Sequence, residues 1–485
     1  MKKTYILLFT ALAALFSACS DWLDVRPSDT LTQDDLFSEG DGYRVALNGV
    51  YRQMAETSLY GRDLTWGYLD AAAQMYDSWS LGTNTLYDKF ASFEYTDGTV
   101  ESTIGTIWLN IFNSIANCNN ILGNIDDEPA SKFHGGESER QLIKGEALAL
   151  RAFLHLDILR LFAPAPKDDD GKDYVPYVDY YPVTFKEYAS NREVLGRIIA
   201  DLQAAKELVR PFDTSEEHNY WMTVNARFEN FDGSSIGNPP SDIFYTYRGY
   251  RMNYYAICAA LARAYNYAGP YDEENYKKAF DETQLVIDGN YNDEQDYFYF
   301  SYPSTGNMRL YHDIIFCLSN QKTVTNYTDE NTGNTKLYVN NVSTIFDDLS
   351  DVRYTFLLNT ESYNVKSLKY STESNTVCAD MIPMLRLSEM YYIRAEYYDH
   401  IGQPLQAALE IDAVREGRNC AGGKYPAIIE QNPDGWFAEE IVKEANREFV
   451  GEGQLFFYYK RLGINPPYIY DANFVFPLPD NESAI

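Results

Sequence analysis

Two short stretches of the chain set flat aromatic rings beside hydrogen-bonding side chains. One holds Trp66, Tyr68, Tyr76, Asp77, Trp79 and Asn84; the other holds Tyr297, Tyr299, Tyr302 and Arg309. A sugar ring offers apolar C–H faces rimmed by hydroxyls. Its binding takes rings to stack on, with Asn, Asp, Arg or Gln to bond the rim. These residues form the candidate ligand-binding set, led by Trp66 and Trp79, although a packing role accounts for each of them as well.

Groups suited to catalysis are not arranged for it. No G-x-x-x-x-G-K-[ST] or H-E-x-x-H string occurs. His134, His155, His218, His312 and His400 are scattered without metal-ligand spacing, and His155 falls close to an apolar helical face, where it reads as a packing residue. Asp168-Asp169-Asp170-Gly171-Lys172-Asp173 invites a calcium reading, but its glycine is not where an EF-hand loop needs it, so a solvated loop fits better. With 71 acidic side chains, any chosen carboxylate pair says nothing about glycosidase chemistry. No catalytic residue, metal site or cofactor is expected, and the chain does not read as an enzyme.

Cys19 carries a different chemistry. Lys2 and Lys3 precede an apolar run from Tyr5 to Phe16, too short to span a bilayer, and Ser17-Ala18 leads into Cys19. The order is that of an export signal, and the small pair before the cysteine resembles a lipobox. Residues 1–18 are expected to be removed and Cys19 to carry lipid. Cys118, Cys258, Cys317, Cys378 and Cys420 remain; their number is odd and no C-x-x-C occurs.

The formal net charge of −31 repels phosphate backbones and excludes nucleic acid as a partner. It also offers no basic patch to anionic lipid, so membrane attachment falls to the lipid anchor. The 42 Tyr, 26 Phe and 6 Trp exceed what a core of this size obviously needs, which fits a wet aromatic binding surface.

The frame for these side chains reads as mostly helix. Ile104, Trp108, Ile111, Ile115, Cys118, Leu122 and Ile125 recur at steps of four and three. So do Ile143, Ala147, Leu150, Leu154, Ile158 and Leu161, stopped by Pro164 and Pro166. Other stripes are Leu195 to Val209, ahead of Pro211; Ile257 to Ala268, stopped by Gly269-Pro270; and Met384, Leu387, Tyr391, Ala395, Tyr398, stopped near Gly402. The stripes ending at Gly269 and Gly402 each lead into a second helix with small residues at the crossing, the tetratricopeptide pattern. Ala152–Phe162 with Val194–Leu208 makes a third pair. The expected scaffold covers about 37–56, 103–210, 251–288 and 383–463 of a single domain, 19–485. The stretches 57–102, 211–250 and 291–376 are long and irregular but aromatic-rich, so they read as ordered excursions that place a ligand surface.

Several strings, in order along the chain, resemble the SusD/RagB family of nutrient-binding lipoproteins. They are Cys19-Ser20-Asp21-Trp22-Leu23-Asp24; Trp108 with Asn119-Asn120; Glu146-Ala147 with Arg151-Ala152-Phe153 and Pro164; Pro383 to Tyr391 with Ala395-Glu396; Asp412 to Arg415; Arg447-Glu448-Phe449 with Glu452-Gly453 and Lys460-Arg461; and Phe476-Pro477-Leu478-Pro479. Tyr459 departs from the pattern, where the family commonly has an aspartate, as do Gly451 and Gln454, which leaves subfamily and ligand open. The resemblance implies a tetratricopeptide-like scaffold with a large irregular ligand-binding half. It also implies a place on the outer face of the outer membrane, and delivery of an oligosaccharide to a SusC-like TonB-dependent transporter. A peptide or other non-glycan nutrient is the alternative, and a secreted glycosidase a remote one. Arg386, Glu389, Glu396, Arg447, Glu448, Glu452 and Arg461 read as buried, mutually paired charges that fix helix packing.

Overall fold

The computed structural model describes residues 33–183, 187–228, 242–304, 307–360, 363–371, 378–431, 435–467 and 469–483. Cys19 and the expected export signal lie outside them. The principal helices are α1 (Gly40–Met54), α2 (Gly98–Ile125), α3 (Gly136–Phe162), α4 (Asn191–Asp213), α5 (Tyr254–Ala268), α6 (Glu274–Ile287), α7 (Leu387–His400), α8 (Pro404–Gly417), α9 (Phe437–Glu448) and α10 (Leu455–Leu462). Side-chain caps start several of them: Asp97 accepts the Thr99 N–H at 2.9 Å before α2, and Asn253 the Ala256 N–H at 2.9 Å before α5.

The helices from α1 to α8 pack serially, each against the next. The pairs α3/α4, α5/α6 and α7/α8 are the helix hairpins expected from the stripes. Close approach within α3/α4 depends on Gly145, where a Cβ would stand 2.6 Å from the Val209 Cγ1. Every residue of α5 is buried, which makes it the central helix of the stack. His155 is a neutral packing residue on α3. Its Nδ1–H donates to the Arg151 carbonyl at 2.9 Å and its Nε2 accepts the Val178 N–H at 2.9 Å. Burial pushes its pKa down to about 3.

Two stripes needed adjustment. Met384 belongs to a strand, β2 (Met381–Arg386), which pairs antiparallel with β1 (Ile314–Ser319). The helix begins only at Leu387 and buries Met390, Tyr392 and Ile393 rather than Tyr391 and Tyr398. Pro211 does not stop α4 but sits in its last turn.

The charged signature residues are paired, and all but the half-buried Arg461 are buried. Arg386 donates to both Glu452 oxygens at 2.7 Å and to Asp313 at 2.7 Å, and Lys369 reaches Glu452 at 2.8 Å. Glu396 pairs with Arg461. The other members recruit partners from outside the set: Glu389 takes Arg263 at 2.7 Å, Arg447 takes Glu444 at 2.6 Å, and Glu448 takes Arg353 at 3.0 Å and Arg418. Burial alone would raise the Glu444 carboxyl, but Arg353, Arg447 and Arg415 outweigh it and hold it at about 2. The network extends to the excursion 57–102. Asp70 accepts the backbone N–H groups of Gly451 and Gly453, which flank Glu452. Both glycines have positive φ, a geometry that suits residues without a Cβ.

Candidate functional site

Three segments lie side by side at the surface of the excursions. The Asp77 N–H donates to the Tyr338 carbonyl at 2.8 Å, and the Val339 N–H to the Val365 carbonyl at 2.8 Å. Isolated antiparallel bridges join Tyr76 to Val339 and Tyr338 to Lys366. Ser80 fastens the near end: its Oγ donates to the Lys336 carbonyl at 2.6 Å and its carbonyl accepts the Lys336 N–H at 2.7 Å. Side chains alternate across such extended segments. Leu337 and Val339 turn into the core while Lys336 and Tyr338 stay half-buried.

On this ladder stands Trp79, an indole left 67% exposed. Its ring centroid is 5.5 Å from that of Tyr338, tilted by 51°. The Lys366 Nζ lies 5.4 Å from the same Tyr338 centroid. Asn84 is exposed on a turn where its φ is +59°, with its N–H donating to the Asp88 carboxylate at 2.9 Å. Asp77 is half-buried, and burial raises its pKa above the ordinary carboxylate range. An aromatic platform flanked by amide, carboxyl and ammonium groups can stack on a ring and bond its rim.

The rest of the first stretch is core. Trp66 is fully buried against Tyr327 and Tyr370. Tyr68 is buried and stacks on Phe90 with centroids 4.8 Å apart, and the buried Tyr76 donates its hydroxyl to the Trp66 carbonyl at 2.6 Å. None of the three offers a face to a ligand. Their apolar rings anchor the excursion to the scaffold instead, and the sequence expectation is corrected to that extent.

The second stretch divides similarly. Tyr297 is buried against Tyr255. Arg309 is buried with its guanidinium over the Tyr370 ring, donating to the carbonyls of Met381 at 3.1 Å and Ala379 at 3.3 Å. Trp66 and Arg309 thus both contact Tyr370, but inside the protein. Tyr299 is half-buried against His312, and Tyr302 is exposed. No ring contact among the described residues joins Tyr302 to Trp79. Tyr338 and Lys366 were missed in the sequence; the alternation of Lys336-Leu337-Tyr338-Val339 is the signal that could have found them.

Two of the clefts that lie apart from the platform have charged linings. One of about 420 Å³ is lined by Arg44, Tyr51, Phe244 and Arg251, but Arg44 is committed to Glu139 and Asp242 and Arg251 to Glu146. The other, about 480 Å³, is lined by Asp179, Tyr180, Glu187, Glu193 and Arg197. Among the described residues no cluster of His, Cys, Asp and Glu is placed to hold a metal, and no helix is long and apolar enough to cross a membrane. Gly233-Ser234-Ser235-Ile236-Gly237 has the G-x-S-x-G spacing of a hydrolase elbow, but it lies outside the described residues and carries no assignment.

A sequence model described as starch-binding and associating with the outer membrane matches residues 21–226. The model of the SusD family matches residues 209–474, more than half of the chain. The chain belongs to the SusD family. It is 28% identical over 207 residues to SusD-like protein P2 of Formosa agariphila, a match covering 43% of this chain and only 38% of that protein. Among solved structures, a SusD superfamily protein of Bacteroides thetaiotaomicron superposes with a TM-score of 0.64 at 14% identity, covering 92% of this chain and 96% of that one. A SusD-like carbohydrate binding protein of Bacteroides vulgatus gives 0.59 at 20% identity, covering 87% and 83%. The helix-pair scaffold with its loop-rich half is the fold of these SusD structures.

Proposed function

We propose that this SusD-family chain binds a nutrient glycan on the Trp79–Tyr338 platform and passes it to a SusC-like TonB-dependent transporter. The exposed Trp79 indole carries the reading. A large apolar ring left in solvent, braced by a second ring and by backbone bonds from Ser80 and Asp77, is a preformed stacking surface. Asn84 and Asp77 supply rim contacts. Cys19 carries the lipid that holds residues 19–485, one domain, on the outer face of the outer membrane. The protein binds and delivers without turnover.

The test is affinity electrophoresis of the mature chain in gels containing single polysaccharides, followed by calorimetry with matching oligosaccharides. Retention by at least one glycan is expected, with loss in Trp79→Ala. Binding to peptides and to no glycan would sink the reading. Mass spectrometry of membrane-extracted protein checks the lipid on Cys19, and co-purification of a TonB-dependent barrel checks the partner.

A further inference from the structure

The platform holds cations that the rest of the molecule would be expected to neutralise. With 71 acidic against 40 basic side chains, many lysines find carboxylates, as Lys89 meets Asp97, Lys144 Asp126, Lys206 Glu282 and Lys424 Asp347, although Lys278 over the Tyr265 ring finds none among the described residues. Nor does Lys366. Among the described residues no carboxylate pairs with it, and its ammonium rests over the Tyr338 ring. Lys336 shares the half-buried face of Tyr338 by the two-residue alternation of this extended segment. Its Nζ donates to the Asn331 carbonyl at 2.6 Å, and it too lacks a carboxylate among the described residues. Asp77 lies across the ladder from Tyr338, and among the described residues it forms no ion pair with either lysine.

Trp79 and the Lys366 ammonium are both held within 5.5 Å of one Tyr338 centroid. A sugar stacked on the indole would bring substituents of its own ring or its neighbour's to the lysines. We propose that Lys366, assisted by Lys336, selects glycans bearing anionic substituents, carboxylate or sulfate. The inference rests on the glycan reading above and names the substrate class of that site. The lysines act locally, because the net charge of −31 repels polyanions from the molecule at large. Acidic glycans are therefore retained only if a specific site overcomes that repulsion.

The experiment compares the mature chain, Lys366→Gln, the Lys336→Gln/Lys366→Gln double variant and Trp79→Ala in affinity gels. Polygalacturonate and alginate supply carboxylates, carrageenan supplies sulfate, and starch, xylan and galactan are neutral. Melting curves check that each variant folds. Retention by an acidic gel is expected, weakened roughly ten-fold in Lys366→Gln, further in the double variant, and by added salt. Carboxylate or sulfate gels identify the anion. Retention by neutral gels alone, unchanged by the lysine variants, overturns the charge selection and leaves the glycan reading standing. Retention by no gel overturns both.

Discussion

Asp70 and Gly453 are joined by a hydrogen bond of 2.9 Å, from the glycine N–H to the buried carboxylate. Through it the excursion that bears Trp79 is fastened to the turn that carries Glu452, and so to Arg386 and the helix stack. The platform is held from beneath by an ionic network and at its surface by backbone ladder bonds and the Ser80 hydroxyl.

Gly453→Ala is expected to unfasten it. The residue has φ of +71°, and a Cβ there would stand 2.2 Å from the Leu64 carbonyl oxygen. A left-handed non-glycine residue with such a clash costs at least about 2 kcal/mol. Urea denaturation would show the loss, and a variant as stable as the parent would contradict the anchoring role.

The two tryptophans separate binding from folding. Trp79→Ala removes an exposed ring, so the melting temperature should hold while glycan binding disappears. Trp66→Ala empties a core site and should cost about 3–5 kcal/mol. Equal stability loss in the two variants would contradict the burial difference.

Glu452→Gln leaves Arg386 and Lys369 buried without their shared carboxylate. Removing one partner of a buried ion pair costs about 3–5 kcal/mol. Denaturant midpoints of the parent and variant measure it, and a difference below about 1 kcal/mol would show the network to be dispensable.

His155 sets a pH dependence with a definite sign. Its folded pKa of about 3 lies below the unfolded value of 6.5, so only the unfolded chain takes up the proton between them. The stabilisation is complete above about 6.5 and falls progressively as the pH drops toward 3. His155→Gln should flatten the slope of stability between pH 6.5 and 4. Imidazole NMR shifts of His155 should stay constant over that range; a midpoint near 6 would refute the neutral assignment.

The helices were legible because each carries its own period. Ile104 to Ile125 and Ile143 to Leu161 trace faces that hold whatever lies opposite, and Pro164 and Gly269 mark the ends. Met384 was read one element too far because a short buried strand and a buried helix end look alike in an apolar run. The platform was half legible. Trp79 and Asn84 were found by residue type, but Trp66 and Tyr68 have the same type and opposite burial, which only the tertiary contacts decide. Tyr338 was missed because it joins Trp79 from a distant segment through ladder bonds, which residue types alone do not announce. The charge pairs were foreseen as buried, whereas their partners Arg263, Asp313 and Arg418 came from elements that no local pattern connects.

The bond between Asp70 and Gly453 closes a span of 383 residues. A chain made from its N-terminus carries the platform segment through nearly all of its synthesis before the turn that anchors it exists. Residues 57–102 therefore reach their final seat only when the C-terminal helices arrive. The Trp79–Tyr338 platform is thus among the last parts of the fold to be fastened.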